Sequence, residues 1–249
     1  MTAHLGDWPT LALILAGAVA GGFVNGLTGF GTALTGLPLW LQALEPLLAA
    51  QLASACSVLS QLTTLPAIWR GGAWRQIAPM LIAGLLGVPI GTWLLPLVSL
   101  SAFKLAVGTM LIVYCTFMLF AAGRLRISYG GRAAEALVGF GGGILGGLAG
   151  LSGILPTIFA ALQGWPKVER RLVFQAFNTL ILTAMLVASA VQGLVGMDLL
   201  LALAVAVPGT LLGAWLGMVV YHRLDDRRFD RIVLIVLLAS GLGLVWSSR

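Results

Sequence analysis

The chain has 249 residues, of which 59% are hydrophobic and only 9% charged, with a formal net charge of +6. A soluble domain carries about 25% charged residues, so composition excludes a water-soluble fold of this length and gives the positive charge no nucleic-acid role. The basic residues fall in short gaps between apolar runs, where a multi-pass membrane protein keeps its cytoplasmic charges.

The N-terminal stretch MTAHLGDWP lacks the basic start of a signal peptide, so the first apolar run, 10–28, is expected to remain as a span. Long runs follow at 47–69, 76–98, 101–122, 133–150, 168–192, 198–221 and 229–247. Each approaches the ~20 residues that cross about 30 Å of hydrocarbon as a helix. Two shorter runs, 32–44 and 154–163, reach roughly half-way or a little more. Each short run follows a long one across a glycine-rich knot, "NGLTGFGTALTG" at 25–36 and "GGLAGLSG" at 146–153.

The chain also repeats itself. "GLTGFGT" at 26–32 aligns with "GLAGLSG" at 147–153, Glu45-Pro46 with Trp165-Pro166, and "GVPIGTW" at 87–93 with "GTLLGAW" at 209–215, at offsets of 121, 120 and 122 residues. Three matches in one order divide the chain into halves 1–124 and 125–249. The expected fold is an all-α polytopic membrane protein of two homologous, inverted repeats. Each would carry a broken or re-entrant helix pair plus three long transmembrane helices. With both short helices returning to their own side, 12 of the 14 basic residues share one face, leaving Lys104 and Arg249 on the other. That bias puts the N-terminus outside. If the short helices cross, the bias falls to 8 against 6.

A helix broken inside a membrane leaves free N–H groups at the start of its second half, together with about half a positive charge. An anion held there needs no cationic side chain in the bilayer. Thr32 and Thr35 are expected to open the first short helix, and Gly153 and Ile154 the second. Gly29, Gly31 and Gly150 would let backbone approach a ligand, and Asn25, Thr28, Thr32 and Ser152 would add neutral donors. On 47–69, Gln51, Ser54, Ser57 and Gln61 share one helical face, and Gln175, Asn178 and Thr179 lie on the matching run. Such polar stripes line a site or join helices. The Gly87/Gly91 and Gly209/Gly213 pairs are expected to permit close helix crossing.

The two knots, "GFVNGLTGFGTALTGLPLW" (22–40) and "GGGILGGLAGLSGILP" (141–156), resemble the TauE/SafE family of membrane transporters, also called the toluene sulfonate uptake permease family. So do "LQGWPKVERRLVFQAFN" (162–178) and the paired glycine-tryptophan motifs of the late spans, and the resemblance covers essentially the whole chain. It implies a bacterial cytoplasmic-membrane protein of two related halves that transports small anions, often sulfur oxyanions or organosulfonates such as sulfite. The first half departs from the commonest family pattern, with "GFGTALTGLP" in place of consecutive glycines, and that departure bears on the substrate.

The expected activity is secondary transport of a small anion by alternating access, with the lipid bilayer as surroundings and no cofactor. A passive anion channel or a permease subunit of a larger complex are the alternatives, and a homo-oligomer is left open. An enzyme is not expected: the serine of "GLSG" (150–153) would need a histidine base, and His4 and His222 lie in the N-terminal tail and at a span end. No Cys/His/carboxylate cluster has metal-ligand spacing; Cys56 and Cys115 read as packing residues. No Asp or Glu lies deep in a span, Glu45, Glu135 and Glu169 being near ends, so no midplane proton carrier is apparent. Arg170 and Arg171 read as a positive-inside anchor and "HRLDDRRFDR" (222–231) as a solvated loop. Trp8, Trp40, Trp69, Trp74, Trp165 and Trp246 are expected to form aromatic belts, and Trp93 and Trp215 to pack on the repeat interface.

Overall fold

The computed structural model describes residues 7–62, 74–120, 131–165, 167–221, 234, 238, 241–246 and 248, with backbone only at 74–76, 161, 167–172 and 221. The described residues contain helices α1 (Trp8–Thr28), α2 (Thr32–Trp40), α3 (Pro46–Leu62), α4 (Trp74–Leu94), α5 (Leu100–Phe120), α6 (Gly131–Ala149), α7 (Ile154–Leu162), α8 (Lys167–Val191) and α9 (Met197–Tyr221), and no strand. A short 3-10 turn, Leu95–Leu97, extends α4. Five segments are long and apolar enough to cross a membrane: α1, Ile77–Leu97, α5, Val173–Val191 of α8 and Met197–Val220 of α9. Arg70, Arg124, Arg126, the 222–231 stretch, both histidines and Trp69 lie outside the described residues, as do the side chains of Trp74, Arg75, Lys167, Glu169, Arg170 and Arg171.

Each short helix folds back along the long helix before it. At the far end of α2, Trp40 Nε1 donates to the Ile14 carbonyl at 3.1 Å, with Gly17 under the indole. At its near end Thr32 packs on Gly21. The register therefore descends α1 as it ascends α2, an antiparallel hairpin. Along α6 and α7, Ser152 lies against Gly142 and Gly146, and Leu155 against Gly141. Trp40 is consequently no belt residue: it is 0% exposed. Its indole N–H is satisfied by the neighbouring helix, so the ring needs no interfacial water.

The most extensive packing joins α1 to α9 and α4 to α6. Both seams are built of glycine. In the first, a Cβ on Gly22, Gly26, Gly213 or Gly217 would overlap the carbonyl oxygens of Thr210, Ala214, Val19 and Phe23 respectively. In the second, Gly87, Gly91, Gly143 and Gly147 meet the carbonyl oxygens of Phe140, Ile144, Gly84 and Val88 in the same way. Backbones this close gain van der Waals contact and Cα–H···O bonds worth about 0.5–1 kcal/mol each. Gly22 and Gly26 stand 121 residues before Gly143 and Gly147, and Gly87 and Gly91 stand 122 before Gly209 and Gly213.

The seams also correct the expectation for Trp93 and Trp215, which are 64% and 61% exposed. Each lies two residues past a seam glycine, Gly91 or Gly213. Two residues turn a helix by about 200°, so both rings point away from the seam onto the outer surface.

Between the seams lie α3 and α8, packed on each other. Helix α3 also rests on α1, α2 and α9, and α8 on α4 and α6. Their facing stretches, Ala49–Ser57 and Val173–Asn178, carry much of the buried core.

Candidate functional site

The first break is a property of two glycines. Gly29 ends α1 at φ +82°, its N–H bonded to the Asn25 carbonyl at 2.7 Å, and Gly31 caps α2 at φ +103°. Both angles lie in the left-handed region, which costs other residues roughly 1–2 kcal/mol. The first N–H of α2 with a backbone partner is that of Thr35, on the Gly31 carbonyl at 3.2 Å. The N–H groups of Thr32, Ala33 and Leu34 have none among the described residues. The second break follows the same plan. Gly150 ends α6 at φ +67°, and Thr157 N–H reaches the Gly153 carbonyl at 3.0 Å. Pro156 has no N–H, so Ile154 and Leu155 carry the free donors there.

A chain of hydrogen bonds joins the breaks. Asn25 Nδ2 donates to Thr32 Oγ1 at 2.7 Å and to Ser57 Oγ at 3.1 Å. Asn178 Nδ2 donates to the same Ser57 Oγ at 3.0 Å, and Ser152 Oγ donates to Asn178 Oδ1. Gln61 Nε2 adds a third donor to Ser57 Oγ at 3.3 Å and approaches the Gly29 carbonyl at 3.5 Å, while Thr179 Oγ1 donates to Gln61 Oε1. Asn25, Thr32, Ser57, Gln61, Ser152 and Asn178 are all buried. Three N–H donors therefore converge on a hydroxyl oxygen that has two lone pairs. Donors outnumber lone pairs at that one oxygen.

Beside this network a small cavity separates the knots, lined by Phe30, Gly31, Ala33, Ser57, Gly150 and Asn178 among others. Its ≈ 10 Å³ matches the least that holds one water. An oxyanion of four or five heavy atoms does not fit without separation of the walls. Among the described residues every buried polar side chain is neutral, and no group of three or more His, Cys, Asp or Glu is placed to hold a metal.

Residues 13–244 match the family described as sulfite exporter TauE/SafE. The chain belongs to the TauE/SafE family. No curated protein and no solved structure matches it. The family and the five apolar helices make the protein a multi-pass membrane transporter of sulfur-related anions.

In this TauE/SafE protein the expected site residues divide by geometry. Asn25, Gly31, Thr32, Ser57, Gly150, Ser152, Gly153 and Asn178 gather around the breaks and their cavity. Thr28 instead closes its own loop: Oγ1 lies 2.9 Å from the Val24 carbonyl and 2.5 Å from that of Phe30, and accepts the Phe30 N–H at 3.3 Å. Ser54 Oγ donates to the Ala50 carbonyl at 2.9 Å and supports Gly150 from behind. Gln175 presses its amide on Gly29, with Nε2 2.9 Å from where a Cβ would stand. Gln51 stands apart: its Nε2 donates to the Leu194 carbonyl at 3.1 Å, tying α3 to the turn after α8. Reading the sequence alone passed over Phe30, whose ring covers Gly153 and meets Phe174 edge-on at 5.8 Å. The available signal was a single large aromatic inside a knot of small residues.

Proposed function

We propose that this protein is a secondary carrier for a small anion, most simply a sulfite-like sulfur oxyanion or organosulfonate, in a bacterial cytoplasmic membrane. The observation that carries the reading is the convergence of Asn25, Gln61 and Asn178 on Ser57 between two helix breaks. Free N–H groups at the starts of α2 and α7 add backbone donors and the positive ends of two helix dipoles. The anion would sit between the halves 1–124 and 125–249, read as inverted repeats, held by Asn25, Thr32, Ser57, Ser152, Asn178 and the backbone at Gly29, Gly31, Gly150 and Gly153.

The packing supports a reading of alternating access. Each seam joins a helix of one half to a helix of the other, α1 with α9 and α4 with α6, in two closely packed pairs. A cavity too small for the anion supports separation of these pairs as a required step of each cycle. A passive pore would need a continuous path instead. Uptake of labelled sulfite into proteoliposomes decides between them: a carrier shows saturable uptake accelerated by unlabelled sulfite inside, and uptake without such counterflow rejects the carrier.

A further inference from the structure

Resting on the anion-site reading above, we infer that the site admits singly charged oxyanions and rejects dianions, so that sulfite is carried as hydrogensulfite with its own proton. The buried polar side chains that gather at the breaks are all neutral, and two of them, Ser57 and Asn178, line the cavity. Asn25, Gln61 and Asn178 present side-chain N–H donors, and Thr32, Ser57 and Ser152 hydroxyls. Desolvating an ion costs an amount that grows with the square of its charge, so a dianion costs roughly four times as much as a monoanion. Neutral dipoles offset the smaller cost far more readily than the larger.

Two further details fit a protonated oxyanion. Asn25 donates both of its amide hydrogens, to Thr32 and Ser57, while its Oδ1 accepts no hydrogen bond among the described residues. That oxygen can take the proton of an S–OH or P–OH type group, which a dianion lacks. The Gln175 side chain, 4% exposed and pressed on Gly29, also makes no hydrogen bond among the described residues and supplies both a donor and an acceptor.

The charged and titratable groups of the surrounding helices lie at their starts or away from the cavity. Asp7 precedes α1, Glu45 precedes α3, Arg75 opens α4, Arg132 and Glu135 open α6, Lys167, Glu169, Arg170 and Arg171 open α8, and Asp198 opens α9. Arg171 is seven residues before Asn178, about 10 Å along the helix. Cys56, the one thiol on α3, is buried toward Thr210 of α9. No described group at the cavity is available to supply or remove a proton, so the ligand's own ionisation sets the pH response.

The test is the affinity of the purified full chain for sulfite, selenite and sulfate, measured by calorimetry across the second ionisation of the first two. Affinity should fall about tenfold per pH unit above that ionisation, as the binding-competent fraction of the ligand falls. Selenite, whose second ionisation lies at higher pH, should keep its affinity to correspondingly higher pH, and sulfate should bind at least about a hundredfold more weakly. Sulfate binding as tightly as sulfite, or sulfite and selenite weakening at the same pH, overturns the charge rule while leaving the anion site in place. Absence of binding by all three at every pH overturns both.

Discussion

Ser57 on α3 and Asn178 on α8 stand 121 residues apart, at the offset that relates the two glycine knots, and are joined directly by a 3.0 Å bond from Asn178 Nδ2 to Ser57 Oγ. Each is also tied to the break of its own half, Ser57 through Asn25 and Asn178 through Ser152. Ser57→Ala removes the oxygen on which three amides converge and leaves buried donors unpaired, at about 1–3 kcal/mol. Asn178→Ala should weaken sulfite uptake at least about tenfold, and the double variant should lose less than the sum of the two single losses. Uptake in proteoliposomes at matched protein content checks this; strictly additive losses would separate the two residues.

Gly29→Leu and Gly150→Leu should abolish uptake while the protein still inserts. Gly29 is at φ +82° and a Cβ there meets Gln175 Nε2 at 2.9 Å; Gly150 is at φ +67° with Ser54 Oγ at 3.1 Å. The new side chain must displace the backbone donors beside the cavity. Membrane fractionation and uptake in the same cells separate loss of function from loss of protein.

Gly143→Val should be strongly destabilising, because its Cβ would overlap the Gly84 carbonyl oxygen in the α4–α6 seam. Overpacking of this kind costs about 1–3 kcal/mol or more. Trp93→Leu, on the outer surface of the same helix pair, should stay within about 0.5 kcal/mol. Thermal unfolding of the two variants in one detergent gives the comparison directly.

The antiparallel α1–α2 hairpin predicts that the turn after α2 returns to the side on which α1 began. A cysteine at Glu45, in a chain whose native cysteines are both buried, should react with an impermeant thiol reagent from outside intact cells. Labelling of Glu45→Cys only after permeabilisation would mean that α2 crosses.

Much of this was legible in the sequence, because membrane helices and their interruptions are written in composition. The breaks at 29–31 and 150–153 followed from glycine density, and the Gly87/Gly91 crossing from spacing; in α9 the close backbone approach falls on Gly213 and Gly217, one turn beyond the expected Gly209/Gly213 pair, with Gly209 meeting only side chains of α1. The rest depends on rotation about a helix axis, on rise along it and on how helices fold back, none of which motif spacing shows. Trp93 and Trp215 were placed by their motif, although two residues past Gly91 and Gly213 put them on the opposite face. Trp40 was placed by its nearness to a run's end, although a helix that folds back carries its end into the bundle. Gln51 and Ser57 share a face on α3, but six residues separate them by about 9 Å along the axis. That rise takes Gln51 to the Leu194 turn and leaves Ser57 at the breaks. No single-chain pattern shows that Asn25, Gln61 and Asn178 meet at one oxygen, since that depends on how three helices pack.

The most direct test of the central claim is the position of selenite, a heavy analogue of sulfite, in crystals of the protein. Its anomalous signal should form one peak within hydrogen-bond distance of Asn25, Ser57 and Asn178, between Gly31 and Gly150, and should vanish in Asn178→Ala. A peak confined to the start of α8 near Arg170 and Arg171, with none between the breaks, would contradict the account.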